Sequence, residues 1–134
     1  VIGDNPGADG EIILGILDGL IVTAGQLIED PTGQKVEIDR NGEHLINQQD
    51  DHPSFDEIEQ AIRNPAQIWE QNVQNGVVMR HYIAQVGGKW VVVRVSWEGT
   101  KWTLSTGVEY GSKSEVQEYI NDWGLTNRIY GGPL

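Results

Sequence analysis

Cysteine is absent from these 134 residues. That excludes a disulfide framework, a thiolate metal site and a cysteine nucleophile, and it leaves the redox compartment open. No run of 18 apolar residues occurs, so no spanning helix is expected, and no basic leader precedes an apolar segment and cleavage site. The chain opens on Val rather than Met, which gives the expectation of a fragment of a longer protein. The motifs of nucleotide-binding and common hydrolytic enzymes are also missing: there is no Walker loop, G-x-G-x-x-G, H-E-x-x-H or G-x-S-x-G. A nucleotide cofactor is therefore not expected. Histidine is scarce, limited to His44, His52 and His81 with no i, i+4 pair. Asp50-Asp51-His52 comes nearest to a ligand cluster, and no metal or other cofactor is expected.

Basic residues are few as well, 9 against 20 acids, for a net charge of -11. The deficit is uneven. Residues 1–60 hold 14 acids against Lys35 and Arg40, whereas residues 61–134 hold 7 bases and 6 acids. An acidic surface aids solubility or meets a basic partner, and it opposes charge-driven binding of nucleic acid. The near-neutral second half softens that objection.

Gly, Asp and Pro in residues 1–10 read as a lead-in loop. Residues 11–30 are ambiguous. Ile13, Ile16, Leu17, Leu20, Ala24, Leu27 and Ile28 have helical spacing, but Gly15, Gly19, Gly25 and β-branched Ile21-Val22-Thr23 oppose a helix. Asp18-Gly19 suits a hairpin, and strands are the expectation. Asp30-Pro31-Thr32-Gly33 is a turn, and Lys35 to Ile38 alternates like a short strand. Arg40-Asn41-Gly42-Glu43 is a second turn, and the polar run Asn47 to Asp51 reads as a joint within the domain.

A helix follows from about Ser54, with Glu57 at capping-box spacing and Phe55, Ile58, Ala61 and Ile62 as its buried stripe; Asn64-Pro65 ends it. Ala66 to Gln71 extends it by a turn. Gly76, Gly87-Gly88 and Glu98-Gly99 punctuate three strands. In the middle one Val91, Val93, Val95 and Trp97 face the helix, which leaves Arg94 on the open face. A second helix spans Ser112 to Trp123, with Ser114 and Gln117 at capping-box spacing, a stripe of Val116, Tyr119, Ile120 and Trp123, and Gly124 as its stop. The last residues form an arm.

The expected class is α+β: an amphipathic helix packed on an antiparallel three- to five-stranded meander, with a C-terminal helix. Residues 1–51 form an acidic segment packed on or leading into the core of residues 52–134, in one domain overall.

The side chains suit metal-free RNA cleavage, which needs a base for the 2'-OH proton, an acid for the leaving 5'-oxygen and groups that hold a charged phosphorane. His52, at the helix entrance, is candidate base or acid; the plainer alternative is a surface histidine in a polar linker. Arg80 and His81 point oppositely on a strand. Arg80 and Tyr82 therefore share the face open to substrate, and His81 is either a catalytic group or a satisfied, semi-buried histidine. Arg80 with Arg94 would form a phosphate-sized cationic patch, or each would pair with a nearby acid. One hydroxyl of Ser105-Thr106 reaches each face. Trp90 or Trp102 could stack on a base if exposed.

The run H-P-S-F-D-E-I-E-Q-A-I-R-N-P (52–65), then R-H-Y-I (80–83), K-W-V-V-V-R-V (89–95) and W-T-L-S-T-G (102–107), resembles the phage and toxin branch of the barnase–EndoU–colicin–RelE nuclease superfamily. The resemblance covers residues 52–108. It implies a helix on an antiparallel sheet and a mostly metal-independent RNase, carried as a secreted-toxin fragment or a phage-associated domain. It matches His52 to the helix-entrance histidine, Arg80 to the strand cation and Thr106, with Ser105 as alternative, to the late hydroxyl. Implied partners are RNA, tRNA included, and a cognate immunity protein; no membrane is involved. The alternative function is a non-catalytic acidic interaction domain, such as an immunity protein or phage structural module.

Overall fold

The computed structural model describes residues 11–17, 20–38, 53–97, 99 and 101–134, with side chains from residue 26 onward. Strands β1 (Glu11–Leu17), β2 (Leu20–Glu29) and β3 (Lys35–Ile38) precede helix α1 (Phe55–Arg63). Then come β4 (Gln67–Asn72), β5 (Val78–Val86), β6 (Lys89–Trp97), β7 (Trp102–Tyr110), helix α2 (Lys113–Asp122) and β8 (Arg128–Tyr130). All eight strands join one sheet, ordered β1-β2-β3-β7-β6-β5-β4-β8. The α+β class stands, but the sheet exceeds the three- to five-stranded meander expected. The excess comes from both ends of the chain.

On the N-terminal side, β1 and β2 pair as a hairpin in which Leu17 faces Leu20. The strand expectation for residues 11–30 therefore holds: the glycines and β-branched residues outweigh the helical spacing. Strand β3 then joins β7 in parallel, Val36 beside Trp102 and Glu37 beside Thr103, which makes the sheet mixed. At the other end two expectations are corrected. Residues 66–71 are mostly strand β4 rather than an extra helical turn, because Ile68, Trp69 and their neighbours complete a six-residue ladder with β5. The terminal arm contains β8, paired to the far edge of β4.

The central meander forms as the sequence implies. Gly87 and Gly88 both take positive φ, 58° and 83°, the geometry of a two-residue hairpin turn matched to strand twist. Val91, Val93 and Val95 are fully buried and join the cluster that includes Ile58, Ala61 and Ile62 of α1. Each fully buried aliphatic side chain of this kind contributes roughly 1.5–3 kcal/mol. Ser54 caps α1 in a reciprocal box: Glu57 N–H donates to Ser54 Oγ at 3.2 Å, and Ser54 N–H donates to Glu57 Oε1 at 2.9 Å.

The opposite face is covered over part of its area by α2, whose Val116, Tyr119 and Ile120 pack on Ile83 and Val92. Its cap is Ser112, not Ser114; Glu115 N–H donates to Ser112 Oγ at 3.3 Å, and Glu115 Oε1 accepts from Gly111 N–H at 3.1 Å. At its end Leu125 N–H donates to Ile120 O at 3.0 Å and Gly124 has φ 63°, so the final carbonyls are satisfied. Among the described residues no helix is long and apolar enough to cross a membrane.

Gly131 sets a sharp test of the β8 connection. Its φ is 89°, and a Cβ there would lie 1.9 Å from Ala66 O, a backbone atom. Gly131→Ala is expected to destabilise the fold by about 2–3 kcal/mol or to detach β8. Urea unfolding with amide exchange at Glu70, whose N–H donates to Asn127 O at 2.9 Å, distinguishes these outcomes.

Candidate functional site

The sheet register sorts the candidate residues onto two faces. Arg80 opposes Val95 and Tyr82 opposes Val93, so both side chains share the α1 face. His81 opposes Arg94, and Arg94 opposes Thr106, on the α2 face. The expected Arg80–Arg94 patch is therefore corrected. Alternation within β5 suggests the open face for Arg80, whereas cross-strand register with Val95 fixes it to the other.

On the α1 face the side chains converge on Asp30. Its Oδ2 accepts from Tyr82 OH at 2.6 Å and from Arg80 Nη1 at 3.0 Å. Its Oδ1 accepts from Thr32 Oγ1 at 2.6 Å, Thr32 N–H at 2.8 Å and Gln34 N–H at 3.0 Å. Arg80 Nε also donates to Glu70 Oε2 at 3.0 Å, and the guanidinium lies 5.0 Å from the Trp102 ring centre. Two carboxylates thus neutralise Arg80, whose side chain is 12% exposed. Tyr82 is fully buried, and its phenol is pushed well above its ordinary pKa by burial and then by Asp30, so it remains a donor. This network fastens the Asp30 turn to β5 and offers little to an anion. Trp102 is likewise buried in the α1 core.

The α2 face differs. Between Arg94 and Val95 the β6–β7 register shifts: Val95 pairs with Leu104, but Arg94 pairs with Thr106. A bulge sets two residues opposite one, which brings Ser105 and Thr106 together against Arg94. The choice between the two hydroxyls, open in the sequence, thus becomes a pair. Ser96 and Thr103 are cross-strand partners beside them. The Arg94 guanidinium carbon lies 4.4 Å from the Trp123 ring centre. Among the described residues no carboxylate forms an ion pair with it. Moreover, no strand position from β4 to β7 on this face carries Asp or Glu. The next strand, β3, carries Glu37 opposite Thr103, held by Lys101 at 3.1 Å. In a chain with 20 acids this bare stretch is a distinct electrostatic feature.

His81 forms the floor beneath α2. It is fully buried, with Nδ1 2.8 Å from Tyr119 OH and Nε2 3.0 Å from Gln71 Oε1. Gln71 Nε2 donates to Trp123 O at 2.8 Å, which turns its Oε1 toward the imidazole. His81 therefore donates through Nε2 and accepts from Tyr119, whose phenol burial holds well above its ordinary pKa. Burial, and then the Arg94 charge, lower the His81 pKa from 6.5 to about 4. It is neutral at pH 7, and both its ring nitrogens are engaged. Between those two values the unfolded chain binds a proton that the folded chain refuses, so stability falls as pH drops through this window. The loss reaches about 3 kcal/mol near pH 4. Urea midpoints measured from pH 7 to 4.5 are expected to fall more steeply for the wild type than for His81→Gln.

Trp90 is half-buried against the α2 cluster with Trp69 and Tyr110. His52, Asp50 and Asp51 lie outside the described residues, as do His44 and the expected turn at 40–43. Pro53, the next residue after His52, is described: its Cγ would lie 3.1 Å from a Cβ at Gly107, directly after Thr106. Among the described residues no group of three His, Asp or Glu side chains is arranged to hold a metal ion. Sequence reasoning passed over Trp123, Gln71, Ser96 and Thr103. Strand alternation around Arg94 pointed to Ser96, but Trp123 and Gln71 needed the docking of α2.

No curated protein and no solved structure matches this chain. One family model does, described as phage-Barnase-EndoU-ColicinE5/D-RelE like nuclease2, over residues 14–130. The match extends well beyond residues 52–108, taking in the end of β1, β2, β3 and α2, which are thus parts of the family's domain rather than additions to it. The chain belongs to this phage barnase–EndoU–colicin–RelE-like nuclease family.

Proposed function

We propose that this domain is a metal-independent endoribonuclease whose centre is the Arg94–Ser105–Thr106 cluster. The observation that carries the reading is a guanidinium with no carboxylate partner among the described residues, facing two hydroxyls where the β4 to β7 positions of that face hold no Asp or Glu. A base removes the 2'-OH proton, the 2'-oxygen attacks the adjacent phosphorus, and the P–O5' bond breaks as an acid protonates the leaving oxygen. The products are a 2',3'-cyclic phosphate and a 5'-hydroxyl. Arg94 donates to the non-bridging oxygens, and Thr106 and Ser105 donate beside it, where negative charge builds in the transition state. His52 serves as base or acid; the next residue, Pro53, lies with Ile58 at the Gly107 position on the α1 side of β7. His81 is a positioning residue under Arg94, and Arg80 holds the Asp30 turn rather than phosphate. Release as a toxin, and a cognate immunity protein as partner, accord with the family.

Cleavage of total RNA and tRNA in EDTA is the test, with His52→Ala as the control. The expected result is cyclic-phosphate ends from the wild type and a rate about 10²–10⁴-fold lower in the variant. A wild type that leaves RNA intact would favour a non-catalytic acidic interaction domain. A cavity of about 220 Å³ lined by Glu115, Glu118, Asp122 and three aromatic residues supports that second reading.

A further inference from the structure

We infer that the proposed site is one end of a track for single-stranded RNA, which crosses the sheet from Thr106 to Arg128. This rests on the reading above and adds a second cationic subsite to it. Cross-strand pairing places Arg94, His81, Trp69 and Arg128 in one row, on β6, β5, β4 and β8 respectively. Both ends of the row have the same construction, a guanidinium on an indole. Arg94 lies 4.4 Å from the Trp123 ring centre, and Arg128 lies 5.8 Å from that of Trp69. Between them His81 is fully buried beneath Tyr119 and Trp123, with centroids 5.7 and 5.2 Å away, so the two rings close the middle of the row.

Three inter-strand spacings separate the cations by roughly 14 Å. That exceeds the reach of one phosphodiester and suits consecutive nucleotides of an extended strand. The half-exposed Trp69 and Trp123 offer ring surface to unstacked bases, and stacking of this kind tolerates any sequence. The occupant is therefore single-stranded. A duplex has its bases stacked inside and cannot lay them on indoles. The β4, β5 and β6 positions under the track carry no carboxylate.

The test is equilibrium binding of 2'-O-methyl RNA, which lacks the attacking hydroxyl and so reports binding whether or not the domain cleaves. A hexanucleotide is expected to bind more tightly than a dinucleotide, and more tightly than its own duplex. Arg128→Ala is expected to weaken hexanucleotide binding about fivefold to tenfold and to lower the salt slope by about 0.7, leaving dinucleotide binding unchanged. Arg128→Glu weakens it further, and thermal melts confirm that both variants fold. Arg94→Ala weakens both ligands. The track is refuted if Arg128→Glu binds the hexanucleotide like the wild type, if length brings no gain, or if the duplex binds as well. The cleavage reading fails separately, if wild-type protein leaves ordinary RNA uncut while these binding differences persist.

Discussion

Arg94→Ala is expected to lower the rate of RNA cleavage about 10²–10³-fold while the fold survives. The guanidinium is the one cation opposite the Ser105–Thr106 bulge among the described residues, and it has no carboxylate partner there to compete with a phosphate. Its contact with Trp123 is worth about 0.5–2 kcal/mol, so the alanine variant loses some stability and keeps its core. Arg94→Lys restores the charge without the two-pronged donor and is expected to recover only part of the rate. Single-turnover cleavage in EDTA separates the chemical step from binding. An Arg94→Ala protein that cleaves at the wild-type rate would remove this cluster from the mechanism. Arg80→Ala makes the contrasting case: it is expected to reduce stability, with little change in the rate measured well below its melting temperature.

The largest stability effect is expected at Asp30. Its side chain is fully buried and accepts from five donors, two of them Arg80 and Tyr82. Asp30→Ala leaves the largely buried guanidinium with Glu70 alone, strands a buried phenol, and loosens the turn at Thr32 and Gln34. Removing one partner of a buried ion pair costs about 3–5 kcal/mol. Against a total stability of roughly 5–15 kcal/mol, this is expected to lower the melting temperature by more than about 10 °C. Tyr82→Phe should cost about 1.5–3 kcal/mol alone. Combined with Asp30→Ala it should add much less, because the acceptor is already gone. Calorimetry of the four proteins in this cycle checks the point; strict additivity would show that the hydrogen bond is energetically idle.

The two sites were legible in the sequence to different degrees. Arg94 could be found because Val91, Val93 and Val95 mark one face of β6 and leave it on the other. The Ser105–Thr106 pair was visible as hydroxyls, but its bulge was not: the alternation of β7 gives no sign that Thr106, not Ser105, opposes Arg94. Arg80 was misassigned because its partners lie far away in sequence, Asp30 at a separation of 50 residues, and no local pattern announces them. Arg128 was passed over because three residues are too few for a strand signal. Strand β8 exists by virtue of its pairing to β4.

The sequence by itself determined the local elements. The capping box at Ser54, the Asn64-Pro65 stop, the Gly87-Gly88 turn and the valine alternation of β6 each follow from backbone stereochemistry and burial of neighbouring residues, which act within a few positions. The tertiary structure alone decided the eight-stranded order, the parallel β3–β7 contact, the opposite placing of Arg80 and Arg94, and the roof of α2 over His81. These depend on register and docking between distant segments. A one-residue shift in register moves every side chain of a strand to the other face, so the site is written in pairings that no single stretch of chain contains.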